Sequence, residues 1–239
     1  MPKRAGVPAI ISQAPAMIEL HRIWKVYSVG PVKVPALSDV SFRVAKGEFV
    51  TLCGPSGAGK TTLLRLLYRE DVPTEGEIEV LRQEVTSLSR SEVAALRRSI
   101  GIVFQDSKLL PGRTVYENVA FVLRVLGTPR REITGRVFDA LRAVGLSARA
   151  QAYPAQLSAG EAQRAALARA IARKPLLLIA DEPTGNLDEG MAAEVIEIVR
   201  DIHAGGTTVL FATHQAMLAA SLKQRTLTIQ NGRLVKDEG

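Results

Sequence analysis

A glycine-rich stretch that ends in lysine and threonine contains the residue types that bind phosphate. It fills every fixed position of the pattern G-x-x-x-x-G-K-[ST]. The largely apolar segment at residues 48–53 predicts a buried strand before the loop, and apolar residues at 63, 66 and 67 predict a helix after it. Backbone amides of such a loop and the helix dipole bind phosphate oxygens, whereas the alternative is an ordinary glycine turn. The predicted nucleotide-binding residues are Gly54, Pro55, Ser56, Gly57, Ala58, Gly59, Lys60, Thr61 and Thr62.

A pair of carboxylates, Asp181 and Glu182, follows a second apolar run at residues 176–180. A strand that ends in adjacent carboxylates delivers them to the edge where nucleotides bind in open α/β sheets. We expect Lys60 to reach the β- and γ-phosphates, Thr61 and Asp181 to hold Mg²⁺, and Glu182 to orient or deprotonate the attacking water. A solvated strand end is the alternative for such a pair in isolation.

Composition indicates a compact protein with a substantial core. The chain has 239 residues, 46% of them hydrophobic, and no apolar run reaches the ~18 residues of a transmembrane helix. The single cysteine, Cys53, falls in the first predicted strand and fits a reducing cytoplasm. The net charge of +7 comes without a dense basic tract, so we expect a mild attraction to an anionic membrane and no direct binding of nucleic acid.

Hydrophobic periodicity predicts an α/β fold, and the phosphate loop resembles that of the P-loop NTPases, which implies a RecA-like core. Residues 18–52 alternate short apolar stretches with turn signals, which is typical of an antiparallel β subdomain. From about residue 89 the period is helical, with capping boxes at Ser89 and Thr114, and it returns to α/β after residue 174. We predict a disordered extension at residues 1–16 and one domain at residues 17–239, with a helical subdomain inserted at about residues 88–172.

A third motif, Leu-Ser-Ala-Gly-Glu-Ala-Gln-Arg at residues 157–164, resembles the signature of the ABC ATPases, usually Leu-Ser-Gly-Gly followed by Gln or Glu. The rest of that family's pattern is present in order. Tyr27 stands at the adenine-stacking position, Gln105 in the Q-loop, Gly-Asn-Leu-Asp at residues 185–188 as the D-loop, and His214 as the switch histidine. The resemblance covers residues 17–239 and implies an ATPase of the ABC type that binds ATP and Mg²⁺.

The resemblance also implies a nucleotide site shared by two copies of the chain. Ser158, with Gly160 and Glu161, would contact the γ-phosphate of ATP held by the opposite subunit, in a head-to-tail homodimer. The implied catalytic residues are Glu182, His214, Lys60 and Gln105, the implied Mg²⁺ ligands are Thr61, Gln105 and Asp181, and Tyr27 and Asp188 complete the nucleotide site.

Several of these residues have a plainer alternative role. Tyr27 could pack within the β layer, Gln105 could be a polar turn residue, and His214 could be a capping or surface residue. Ser158 could cap a helix and do nothing else.

Two positions depart from the family pattern. Ala159 replaces the first signature glycine, and Gln215 stands where many relatives have aspartate. If the backbone at residue 159 needs a positive φ, alanine costs ~1–2 kcal/mol and slows turnover. We therefore expect an active ATPase that could be slow.

Residues 104–121 and 180–188 further resemble the FtsE family of bacterial cell-division ATPases. This resemblance implies an FtsX-like integral membrane partner and a peripheral position on the cytoplasmic face of the inner membrane. Closing of the ATP-bound dimer would then move the partner and control peptidoglycan hydrolases. Four residues would form a docking groove if exposed, or else cover the core of the helical insertion: Leu109, Leu110, Val115 and Tyr116.

Two other functions fit part of the pattern. The D-loop sequence also occurs in the related LolD and MacB ATPases, so a transporter of lipoproteins or drugs is the main alternative. A soluble ABC-type protein that acts on DNA or the ribosome is the third, but such proteins need long coiled coils or tandem cassettes, and this sequence has neither.

Overall fold

A computed structural model describes residues 15–239, so residues 1–14 of the extension predicted at residues 1–16 lie outside the described residues, while Ala16 is the first residue of a strand. Two short 3₁₀ turns lie at Ser147–Arg149 and Pro154–Gln156. In chain order the elements are β1 (Ala16–Val29), β2 (Val32–Ala45), β3 (Phe49–Cys53), α1 (Lys60–Leu67), β4 (Glu75–Val80), β5 (Gln83–Glu84), α2 (Arg90–Arg98), β6 (Ile100–Val103), α3 (Val115–Val125), α4 (Arg130–Ala143), α5 (Ala159–Ile171), β7 (Leu177–Asp181), α6 (Glu189–Ala204), β8 (Thr208–Thr213), α7 (Ala216–Leu222), β9 (Arg225–Gln230) and β10 (Arg233–Glu238).

A six-stranded sheet with the order β10-β9-β3-β8-β7-β6 forms the centre of the molecule. Neighbouring strands from β9 to β6 are parallel. The last strand, β10, pairs antiparallel with β9 through a hairpin at residues 230–232, where the sequence Gln-Asn-Gly is itself a strong turn signal. Parallel strands present their C-terminal ends at one edge of the sheet, where α/β folds bind ligands. The segments that follow β3, β7 and β8 therefore meet at that edge.

The second sheet is antiparallel and has the order β2-β1-β4-β5, which confirms the predicted β layer except at residues 49–52, which belong to β3 of the six-stranded sheet. Its two long strands each have 14 residues and extend well beyond the predicted strands at residues 17–20 and 40–44. The β1–β2 register shifts at several points, and Arg22 and Asp39 have positive φ. Such bulges bend a strand without ending it, so the turn signals in the sequence do not mark strand ends here.

Both predicted capping boxes form and begin helices. The Ser89 side chain caps α2 with Glu92, and the Thr114 side chain caps α3 with Glu117. Within the insertion predicted at residues 88–172, β6 belongs to the six-stranded sheet, and the cluster of contacting helices consists of α3, α4 and α5. Of the helices in residues 15–239, none is long and apolar enough to cross a membrane.

Apolar side chains cover both faces of the six-stranded sheet. Along β7, Leu177 and Ile179 pack against α1 and the β layer, whereas Leu178 and Ala180 pack against α3, α5 and α6. A strand buried on both faces reads as a continuous apolar run, as predicted for residues 176–180. Val115 is fully buried in the apolar cluster that contains α3, α5 and α6. It therefore belongs to the core of the helical cluster and does not line an exposed groove.

The turn between β3 and α1 requires glycine at two positions. A Cβ on Gly54 would lie 2.1 Å from the carbonyl oxygen of Ile229, and one on Gly59 would lie 2.6 Å from that of Ala36. Gly59 has φ of +108° and precedes the first residue of α1. The chain can therefore pass between β2 and β9 and start the helix only where side chains are absent.

We expect Gly59→Ala to lower the free energy of unfolding by about 2–4 kcal/mol, because alanine is strained at this φ and its Cβ overlaps the Ala36 carbonyl. The matched control is Gly57→Ala, where φ is +76° but no atom lies within 4 Å of the added Cβ. This control should lose about 1–2 kcal/mol, from backbone strain alone. Urea denaturation compares the two, and equal losses would contradict the close approach at Gly59.

Candidate active site

The phosphate-loop residues lie between β3 and α1, as predicted. Pro55, Ser56 and Gly57 form an exposed tip, and Ala58 is buried beneath it. The Ala58 amide donates to the Pro55 carbonyl at 3.1 Å, and the Ala58 carbonyl accepts from the Gly232 amide at 3.0 Å. The loop is therefore closed on itself and attached to the β9–β10 turn. Thr61 and Thr62 follow in the first turn of α1.

Lys60 is the buried cation of the site, with only 4% of its side chain exposed. Its Nζ donates to the carbonyl oxygens of Gly54 at 2.7 Å and Pro55 at 3.2 Å. It also lies 3.2 Å from Oε1 of Glu182. A buried ammonium needs such partners because burial removes its hydration shell. The ammonium thus joins the phosphate loop to the carboxylates that follow β7.

Asp181 ends β7 and faces the start of α1. Its Oδ1 lies 3.4 Å from the hydroxyl oxygen of Thr61. Burial raises the pKa of the Asp181 carboxyl; the Thr61 hydroxyl opposes this rise and the neighbouring Glu182 charge adds to it. Hydroxyl and carboxylate oxygens are the ligands that Mg²⁺ prefers. The donor set formed by Thr61 and Asp181 therefore fits Mg²⁺.

Glu182 is held between two nitrogen-containing side chains. Besides the contact with Lys60, its Oε2 lies 2.7 Å from Nδ1 of His214, which follows β8. Glu182 has φ of +49°, a left-handed conformation that costs a non-glycine residue about 1–2 kcal/mol. Its amide donates to the carbonyl of Ala212 at 3.0 Å. The carboxylate is thus fixed at the sheet edge, where it can accept a proton from a bound water.

Gln105 lies two residues beyond the end of β6 and contacts the D-loop. Its Nε2 donates to the side-chain oxygen of Asn186 at 3.3 Å. A Cβ on Gly185 would lie 3.1 Å from the same Nε2, so Gln105 packs closely over the D-loop backbone. Its neighbour Phe104 accepts a hydrogen bond from Gln163 of α5 at 2.9 Å. These contacts link the Q-loop to the D-loop and to the signature helix.

Tyr27 lies near the end of β1 and is half-buried. Its hydroxyl donates to Oδ2 of Asp71 at 2.8 Å. Burial and this carboxylate raise the pKa of the Tyr27 hydroxyl, while the Thr62 hydroxyl lowers it. The tip of the ring is therefore beside the first turn of α1, next to the phosphate loop.

The signature residues form the N-terminus of α5. The Ser158 hydroxyl accepts from the Glu161 amide at 3.1 Å, and Oε2 of Glu161 accepts from the Ser158 amide at 2.9 Å. Arg149 donates to the other carboxylate oxygen of Glu161 at 2.8 Å. Within residues 15–239, Ser158 and Glu161 make no hydrogen bond to the phosphate loop of their own chain. The signature and the loop are thus separate surfaces of one protomer.

Ala159 does not carry the strain considered from the sequence. It is the first residue of α5, it is exposed, and its φ is not positive. The expected cost of ~1–2 kcal/mol therefore does not arise, because a helical first position accepts alanine freely. The glycine that packing requires here is Gly160, where a Cβ would lie 2.7 Å from Sδ of Met191. Close packing of α5 on α6 explains this requirement.

Asp188 caps the N-terminus of α6, where its Oδ1 accepts from the Met191 amide at 2.8 Å.

The structure gathers Lys60, Thr61, Asp181, Glu182 and His214 at one sheet edge. Gln105 and Asp188 lie on the adjoining Q-loop and D-loop, and within residues 15–239 no hydrogen bond or ion pair joins their side chains to that group.

Sequence reasoning missed Lys25 and Asp71, the partners of Tyr27. Oδ1 of Asp71 accepts from Nζ of Lys25 at 2.5 Å. Lys25 and Tyr27 are two residues apart on β1, so they share one face of the strand. That spacing was the available signal, but Asp71 lies 44 residues from Tyr27 in sequence, and no local pattern connects the two.

Comparison with known proteins agrees with this geometry. Residues 37–185 match the sequence model of the ABC transporter family. The chain is 45% identical to the cell division ATP-binding protein FtsE of Streptococcus pneumoniae strain D39, over 93% of this chain and 96% of that protein. It is 46% identical to FtsE of Mycobacterium tuberculosis, over the same shares of the two chains.

The fold agrees with a solved structure, the dimeric ATP-binding cassette MJ0796 in a post-hydrolysis state bound to ADP and Pi. The TM-score is 0.85 at 33% identity, and the match covers 93% of this chain and 98% of that one. The family match and the FtsE relatives each cover more than half of the chain. The chain therefore belongs to the ABC transporter family, and it is an ATPase of that family similar to FtsE.

Proposed function

We propose that this chain binds ATP together with Mg²⁺ and hydrolyses the ATP as one half of a head-to-tail homodimer that acts on an FtsX-like membrane protein in cell division. The observation that carries the proposal is the position of Glu182. Its carboxylate lies 3.2 Å from the buried ammonium of Lys60 and 2.7 Å from the His214 ring. A base held beside a phosphate loop is the arrangement that hydrolysis of a triphosphate requires.

The contacts of Lys60 and Glu182 suggest how ATP would engage the site. A γ-phosphate that enters the loop competes with Glu182 for the Lys60 ammonium. When the Lys60 ammonium pairs with the phosphate, its contact with Oε1 of Glu182 is lost. Oε1 can then accept a proton from the attacking water. His214 continues to hold Oε2 and orients the carboxylate. Mg²⁺ held by Thr61 and Asp181 would neutralise charge on the phosphates.

A second copy of the chain would complete the site. Ser158 is exposed and caps α5, so the positive end of this helix dipole is open to an anion. Its own phosphate loop makes no contact with it in the described residues. The dimeric state of the MJ0796 cassette supports a pairing in which Ser158, Gly160 and Glu161 of one protomer face the ATP of the other. Tyr27 would stack on adenine, and Gln105 and Asp188 would line the site.

The arrangement of elements supports a single nucleotide-binding domain at residues 17–239. The core sheet and the β layer hold the phosphate loop, and the helical cluster of α3, α4 and α5 holds the signature. Because β6 belongs to the core sheet, we place the helical subdomain after it and not from residue 88 onward.

The distribution of charge supports a peripheral position at the cytoplasmic face of the inner membrane. Residues 113–174 contain eleven Lys and Arg and four Asp and Glu, a net +7, so the rest of the chain is neutral. On α3, Phe121 is 38% and Val125 62% exposed, and the exposed Arg124 lies between them. Basic and apolar side chains on one helix face are typical of a surface that meets anionic lipid.

We expect Glu182→Gln to slow ATP hydrolysis at least a hundredfold while ATP is still bound, because the amide cannot accept the proton of the attacking water. The variant should accumulate as an ATP-bound dimer in size-exclusion chromatography. Glu189→Gln, a change at an exposed residue of α6, is the matched control and should hydrolyse ATP at the parental rate. Parental turnover by Glu182→Gln would remove Glu182 from its proposed role.

We expect affinity purification of this chain from detergent-solubilised membranes to recover a four-span membrane protein with an extracytoplasmic domain. An FtsX-like partner supports the division role, since several relatives named FtsE are 44–46% identical to this chain over 93% of its length. Recovery of the membrane subunit of a lipoprotein or drug transporter would instead establish the transporter alternative.

We expect the purified chain to sediment with vesicles that contain phosphatidylglycerol and not with phosphatidylcholine vesicles. Arg124→Gln with Arg130→Gln should weaken this binding by roughly thirtyfold, because each of the two basic residues near an anionic surface contributes about 1 kcal/mol. The control with the same net charge is Lys33→Gln with Lys223→Gln, at exposed positions outside the helical cluster. An equal effect of both pairs would show that net charge, and not this surface, attracts the lipid.

A further inference from the structure

The Tyr27 side chain is held by an ion pair that the ATPase chemistry described above does not use. Its hydroxyl donates to Oδ2 of Asp71 at 2.8 Å, and Oδ1 of the same carboxylate accepts from Nζ of Lys25 at 2.5 Å. Nζ also donates to the carbonyl of Val72 at 2.8 Å. Lys25 is only 8% exposed. A buried cation with such partners is costly to displace, so this is a rigid support.

The same ammonium covers one face of the Tyr27 ring. Nζ of Lys25 lies over the ring, 4.8 Å from its centroid. A cation at this distance is attracted by the π-electrons of the ring and occupies that face. An aromatic base can therefore stack only on the opposite face, and the cation makes the ring a stronger partner for an electron-rich purine.

The support is attached to the element that carries the phosphate loop. Asp71 and Val72 follow α1, which begins at Lys60. The Thr74 amide donates to the carbonyl of Trp24 at 2.7 Å, and the Thr74 hydroxyl accepts from the Val26 amide at 2.9 Å. The segment of residues 71–74 thus fixes β1 relative to α1. The distance between the Tyr27 ring and the phosphate loop is set by these contacts.

Electrostatics agree with a permanently charged pair. Although burial raises the pKa of the Asp71 carboxyl, the hydrogen bonds from Lys25 and Tyr27 outweigh it and leave this pKa below its ordinary value. Asp71 is therefore an anion at neutral pH and can accept both hydrogen bonds.

We propose that Asp71 and Lys25 are positioning residues that lock Tyr27 in place as a one-sided platform for the adenine of ATP. They would set the part of the affinity that depends on the base and leave the part that depends on the phosphates unchanged. This proposal rests on the proposed function, in which ATP binds at the loop between β3 and α1. An immobilised side chain changes binding by about three- to tenfold.

The test is Asp71→Asn in the full chain, with Mg·ATP and Mg·triphosphate (inorganic) as two probes in isothermal titration calorimetry. The amide has the shape of the carboxylate but lacks the charge that holds Lys25 and Tyr27. We expect the Kd for ATP to rise about fivefold and the Kd for triphosphate to stay within about twofold. Asp201→Asn, at an exposed position of α6, is the control and should change neither Kd.

Two further variants keep the proposal falsifiable if Asp71→Asn fails to fold. Tyr27→Phe keeps the ring but loses the bond to Asp71, and Lys25→Met loses the cation, so both should weaken ATP and spare triphosphate. In a Tyr27→Ala background, Asp71→Asn should have no additional effect on ATP binding. Equal losses for ATP and triphosphate, or no loss for either, would overturn the positioning role. A parental chain that binds neither probe would overturn the proposed function itself.

Discussion

The site depends on one carboxylate shared by two basic side chains. The oxygens of Glu182 contact Lys60 on one side and His214 on the other. These three residues follow β7, β3 and β8, so the contact forms only because those strands are adjacent and parallel. The ammonium of Lys60 is almost entirely buried. Because burial removes hydration from a charge, Lys60 needs these polar partners. The strand order of the core sheet is what brings the partners to it.

The sheet that brings the catalytic residues together also divides the protein into two packed halves. One apolar cluster joins α1 to the β layer, and the other joins the sheet to α3, α5 and α6. The phosphate loop belongs to the first half and the signature to the second. Gln105 lies between them and contacts the D-loop residue Asn186. The preceding residue, Phe104, accepts a hydrogen bond from Gln163 of α5, so the Q-loop contacts both the D-loop and the helical cluster.

Charge is distributed unevenly along the chain. The excess of basic residues falls within residues 113–174, which contain the helical cluster, whereas the remainder of the chain is balanced. A local ion pair such as that between Lys25 and Asp71 fixes geometry, because both members are partly buried. The field of the exposed arginines of the helical cluster extends into solvent, where salt screens it. Charge thus fixes local geometry where the pair is partly buried and gives a net positive surface where the side chains are exposed.

The sequence alone determined the phosphate loop, the carboxylate pair, the capping boxes at Ser89 and Thr114, the hairpin at residues 230–232 and the family. Each of these depends on residues close in the chain, so a local pattern encodes it. Only the tertiary structure decided that β1 and β2 continue through their bulges, that β6 belongs to the core sheet and that Ala159 is unstrained. It alone brought Asp71 to Tyr27, across 44 residues of sequence. These features depend on partners that are distant in the chain, and no short pattern of residues records which partner a folded strand or side chain will meet.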